Sequence, residues 1–193
     1  MGTALSLFSL LVASAACGLS LAVALRVKKL LDPLTEEGLL SRRGPAAGGP
    51  EVGDLVPRAS GLIDIDGHEV ELPPSGAQPW VLAFQAVGCP GCKEQLPTYK
   101  KFLRDMGFDR NRVVSVVVGD ADGLPFYRDE LGGLGHVVPA GEKTTDLVGG
   151  LGVTVFPTYL LVGEGGTVLV STRSSARLAA TGAEVLRPAP VLG

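Results

Sequence analysis

Two cysteines three residues apart, Cys89-Pro90-Gly91-Cys92, stand between an apolar run, Trp80 to Phe84, and a segment of helical character that begins at Pro90. On a helix, side chains three apart share a face, so two sulfurs at this spacing can meet, bond and part again. A C-x-x-C that closes a strand and opens a helix defines a βα unit and is a redox pattern rather than a structural staple. Cys89 is expected at the edge of the helix N-cap, where unpaired backbone N–H groups and the macrodipole favour negative charge. That lowers the thiol pKa and makes Cys89 the attacking thiolate, with Cys92, one turn inside, as the resolving thiol. Pro90 and Gly91 are read as support for this helix start. Pro90 presets φ at the first helical position and has no N–H to leave unpaired.

The rest of the composition narrows the choices. A chain of 193 residues holds one domain and an appendage. Its net charge of −3 and scattered Lys and Arg give no footing for nucleic acid. Three cysteines rule out a disulfide-stapled scaffold, leaving the pair at 89 and 92 for chemistry and Cys17 alone. Half of a structural zinc site is the bland alternative, but tetrahedral zinc needs four ligands. Only His68 and His136 remain to supply them, and both are read as solvated surface side chains. No metal and no cofactor beyond a redox-active Cys89–Cys92 disulfide is expected.

Residues 1–25 carry no charged side chain, and Leu5 to Leu25 is almost wholly apolar, long enough to cross a bilayer as a helix. A cleaved signal peptide is the rival reading, since Ala13-Ser14-Ala15 has the A-x-A form. Yet a basic leader is missing and the apolar run continues for ten residues beyond it. Lipidation at Cys17 or Gly2 is a weaker match. The expectation is therefore an uncleaved anchor over 1–25, a stalk and Gly/Pro linker over 26–50 (ending GPAAGGP), and a folded domain over 51–193. Arg26, Lys28 and Lys29 follow the span with no basic side chain before it, a pattern that favours a cytoplasmic domain.

Within the domain, Gly61 to Leu72 alternates around Asp66-Gly67 as a hairpin does. Trp80 to Ala86 reads as a buried strand, Pro90 to Met106 as a helix, and Val113 to Val118 (VVSVVV) as a central parallel strand. Short helices are expected over 124–131 and 143–148, a second hairpin over 158–162 and 167–170, and a closing helix over 174–186. The order ββ–β–α–β–α–β–β–α predicts an α/β domain with a central mixed sheet flanked by helices.

Pro157, in Val155-Phe156-Pro157-Thr158 just before a strand, is the second informative position. Strand–CxxC–helix early and Val-x-x-Pro-Thr before a hairpin late together resemble the thioredoxin-like superfamily. More closely, residues 51–172 are similar to its bacterial membrane-anchored TlpA/ResA/MauD-like branch. That likeness is carried by Val52-Gly53-Asp54-Leu55-Val56-Pro57, Asp64 to Val70 (DIDGHEV), Cys89 to Pro97 (CPGCKEQLP) and Gly152 to Gly166 (GVTVFPTYLLVGEGG).

The resemblance implies a thiol–disulfide oxidoreductase acting on protein cysteines of clients and exchanging electrons with a donor or acceptor protein. It implies a cis Pro157 against the dithiol, substrate contact through Phe156, a helix bend at Pro97, and a domain outside the cytoplasmic membrane, against the charge pattern. The chain also departs from the branch. Gly88 stands where Trp usually precedes the first cysteine, and Ala83 where thioredoxins carry a buried Asp. Gln95 stands where a Glu follows the second cysteine, so Glu94 is the remaining candidate for a proton relay. Two other functions fit less well. A peroxiredoxin-like peroxide reductase wants a Thr or Ser where Ala86 stands, and a non-catalytic adaptor would not need both cysteines.

Overall fold

The computed structural model describes residues 49–76 and 78–187. The span expected at 1–25, Cys17, and nearly all of the stalk and linker expected over 26–50 lie outside the described residues. No helix among those described is long and apolar enough to cross a membrane.

A five-stranded sheet organises the domain, in the order β5 (His136–Pro139), β4 (Val113–Val118), β3 (Trp80–Ala86), β6 (Thr158–Val162) and β7 (Val168–Thr172). At its centre β3 (Trp80–Ala86) pairs parallel with β4 (Val113–Val118), in register from Val81 opposite Val113 to Ala86 opposite Val118. A parallel pair needs a crossover rather than a tight turn, and α1 (Pro90–Asp105) supplies it. On the other side of β3, β6 (Thr158–Val162) runs antiparallel, and β7 (Val168–Thr172) completes the expected hairpin. The hairpin at the domain's start forms a separate two-stranded sheet of β1 (Ala59–Ile63) and β2 (Glu69–Leu72). Three further helices follow: α2 (Leu124–Leu131), α3 (Glu142–Gly150) and α4 (Ser175–Val185).

Because strand side chains alternate, β3 sends Val81 and Ala83 to one face and Leu82 and Phe84 to the other, and each face has its own core. Leu96, Tyr99, Phe102 and Leu103 of α1 join Val81, Ala83, Tyr159, Leu161 and Leu178 on the first. Leu82, Phe84, Leu160 and Val162 meet Leu62, Val70 and Leu147 on the second. Each buried Val, Leu or Phe among them contributes about 1.5–3 kcal/mol by leaving water, so both helical and hairpin layers are fastened to the sheet.

Two expectations need correction. The stretch before α3, where the expected order of elements has no strand, contains β5 (His136–Pro139), a fifth strand parallel to β4 with Val114 opposite His136. Four residues with one apolar pair are too short for periodicity to reveal, and pairing with β4 supplies what local sequence lacks. His136 is likewise no solvated surface histidine. It is buried, with Nδ1 2.7 Å from Asp64 Oδ2 and Nε2 3.3 Å from Asn111 Oδ1.

Candidate active site

The dithiol sits where β3 ends. Cys89 N–H donates to the Ala86 carbonyl at 3.3 Å, closing a tight turn in which Gly88 has φ +75°. At that third turn position a positive φ favours glycine, which accounts for Gly88 here. Val87 packs against Gly119 and Gly123, and a Cβ on either glycine would overlap its side chain. Tyr127 Oη, whose pKa burial raises, donates to Ala86 O at 2.8 Å and pins the strand end before the turn.

The turn delivers Cys89 to the N-cap of α1 with extended backbone angles (φ −84°, ψ 108°), and Pro90 opens the helix. Cys92 N–H donates to Cys89 Sγ at 3.1 Å, so the cap's sulfur satisfies one of the otherwise free first-turn donors. The two sulfurs are joined as a disulfide across a Cα–Cα distance of 5.3 Å. Their surroundings differ: Cys89 is half-buried and reachable, whereas Cys92 is 0% exposed. Gly91 lies between them with open space where a Cβ would be. Pro97 lies inside α1, exposed, and the helix continues through it.

The second motif comes to the first. The Phe156–Pro157 peptide bond is cis, and Phe156 O lies 3.7 Å from Cys89 Sγ. Pro157 is buried and Phe156 half-buried, while Thr158 Oγ1 donates to Val155 O at 2.7 Å and braces the loop. Val155 and Phe126 are both 37% exposed, and Lys93 Nζ stands 4.8 Å over the Phe126 ring. None of Val155, Phe126 or Lys93 was distinguishable in sequence; Val155 adjoins Phe156, Lys93 adjoins Cys92, and Phe126 is marked by its contact with Lys93.

Glu94 is exposed, and no hydrogen bond joins it to either cysteine. Gln95 proves to be a brace. Its Nε2 donates to Arg173 O at 3.0 Å and its Oε1 accepts from Ser175 N at 2.7 Å, tying α1 to the junction of β7 and α4. Its position three residues after Cys92, on the same face, was the available signal. Around the wholly buried Ala83, the buried polar side chains of this face are neutral: Gln85, Ser115, Tyr99 and Tyr159.

Among the described residues the buried carboxylate is Asp64, and it serves the other end of the sheet. Burial alone would raise its pKa. Hydrogen bonds from the His136 ring, from His68 N–H and ring, and from Asp66 N–H more than offset that and hold it at about 2. Asp64, Asp66 and His68 present ligand atoms within 4.8 Å of one another. Cationic side chains already stand there, however. Arg110 Nη2 lies 3.4 Å from Asp64 and 3.3 Å from Asp66, and Arg128 Nη2 lies 2.7 Å from Asp66. The cluster reads as an ion-pair latch.

No protein-family model matches the sequence, and no curated protein does. Solved structures match its architecture. The thioredoxin domain of a thiol-disulfide oxidoreductase from Bacteroides vulgatus superposes with a TM-score of 0.62 at 18% identity, over 71% of this chain and 99% of that one. A thiol:disulfide interchange protein from a Bacteroides species gives 0.59 at 20% identity, over 74% and 94%. A thio-disulfide isomerase from Thermus thermophilus gives 0.57 at 20% identity, over 73% and 99%. At such identities the likeness is one of architecture: this chain has the thioredoxin-like fold, with a dithiol where β3 gives way to α1.

Proposed function

We propose that the protein is a thiol–disulfide oxidoreductase that exchanges disulfides with protein cysteines through Cys89 and Cys92. One observation carries this reading: a disulfide at a helix start, with one sulfur reachable and beside the Phe156 carbonyl, the other enclosed. In the reducing direction a donor dithiol first opens the Cys89–Cys92 bond. The Cys89 thiolate, favoured by the helix start, attacks one sulfur of a client disulfide. A mixed disulfide forms and the client's other sulfur leaves as a thiolate. Cys92 then attacks Cys89 Sγ, the mixed disulfide breaks, and the client departs as a dithiol. Two electrons pass from the protein to the client, and the reverse sequence oxidises it. The client segment lies extended against Phe156 and Pro157.

On this reading the apolar stretch over 1–25 tethers the domain to a membrane. The resemblance supports clients among exported or membrane enzymes undergoing maturation, with the domain outside the cytoplasmic membrane against the charge pattern of Arg26, Lys28 and Lys29. A reporter fused after residue 45 tests that orientation. For the chemistry, Cys89→Ser abolishes reduction of insulin disulfides, while Cys92→Ser accumulates mixed disulfides that dithiothreitol releases. Wild-type turnover in both variants would contradict the assignment.

A further inference from the structure

Beside Pro157 the surface opens into a cleft of about 390 Å³ lined by Thr158, Ser171, Thr172, Arg173, Ser174 and Arg177. Among the described residues that line it, four carry hydroxyls and two carry guanidinium groups, and none is Asp or Glu. Among the ion pairs of the described residues none involves Arg177. The cleft begins at Thr158, the residue after Pro157, and its far wall is held by Gln95, one turn along α1 from Cys92. The first N–H groups of α4 are already engaged, Ser175 N by Gln95 and Arg177 N by Ser174 Oγ. Any selectivity of the cleft for anions therefore has to come from its side chains, and a guanidinium such as that of Arg177 matches a carboxylate with two parallel hydrogen bonds.

We propose that this cleft is an acidic-residue subsite, receiving an Asp or Glu side chain of the client segment two or three residues from its reacting cysteine. An extended chain covers about 7–10 Å over that interval, comparable to the Phe156–Thr158 stretch that leads from the Cys89 contact to the cleft. The inference rests on the thiol–disulfide exchange reading and names the client class within it. A carboxylate could also arrive on a small thiol such as glutathione, so the test separates the two sources.

The full 193-residue chain in mild detergent is given peptide disulfides that differ only in Glu, Gln or Lys three residues from the cysteine. The expected Glu-over-Gln ratio in kcat/KM is about threefold to tenfold and shrinks with salt. Arg177→Gln brings it to about one, Arg177→Glu turns the preference to Lys, and Arg104→Gln, at the far end of α1, keeps it. Cysteine-free versions of the peptides are titrated in parallel by NMR, with amide shifts expected at Thr158 and Thr172 for Glu alone. An unchanged ratio in Arg177→Gln, or equal binding of the Glu and Gln peptides, overturns the subsite. An Arg177-dependent gain with oxidised glutathione but not with the Glu peptide overturns the client assignment. Selective binding of the Glu peptide without any turnover supports the subsite and overturns the redox reading alone.

Discussion

Gln95 makes two bonds of opposite sense from one amide, giving a hydrogen to Arg173 O and taking one from Ser175 N. A carboxylate of the same shape keeps the second and sets an oxygen against the Arg173 carbonyl in place of the first. Gln95→Glu should therefore cost about 1 kcal/mol, and Gln95→Ala, which loses both, about 1–2 kcal/mol. Urea unfolding monitored by circular dichroism checks both values, and no loss in either variant would contradict the bracing role. The two cysteines, the N-cap position and the proline before β6 were all legible, because each acts through its immediate neighbours. Gln95 appeared in sequence only as a missing acid, since its partners lie 78 and 80 residues away.

At the scale of elements, the β1–β2 hairpin is fastened by a carboxylate. Ile65 N–H donates to Val137 O, and Asp64 holds His136 at the start of β5 and, more weakly, Arg110 after α1. Asp64 is more acidic folded than unfolded, so its contribution is present above about pH 4 and fades as pH falls toward 2. Asp64→Asn is expected to lower stability by about 2 kcal/mol at pH 7 and to flatten the acid limb of a pH–stability curve. An acid limb unchanged from wild type would show that the latch contributes nothing. The alternating hairpin and the apolar β3 and β4 runs were readable because each carries its own periodicity. Strand β5 and the burial of His136 were not, because both depend on partners that the chain reaches only after folding.

Over the whole molecule, the parallel strands set two poles. Asp64 and His136 lie level with Leu82 of β3 through Val114, whereas the dithiol follows Ala86, at least four strand residues or about 13 Å farther on. Stability and exchange chemistry are thus placed at opposite ends of one sheet. All three tyrosines of the chain are pushed up by burial, Tyr159 to about 12. The folded state binds their protons longer than the unfolded state, so stability should fall as pH rises from about 10 through 12. Tyrosinate absorbance should appear together with loss of circular dichroism; its appearance at pH 10 in a still-folded protein would contradict the packing described.

The most direct test of the exchange site is equilibration of the full chain across glutathione redox buffers, with acid quench, alkylation of free thiols and mass spectrometry of the Cys89–Cys92 peptide. The account predicts one two-electron transition in which both thiols vanish together, absent in Cys89→Ser and in Cys92→Ser. Separate titration of the two thiols, or a dithiol that stays reduced across the whole range, would contradict it.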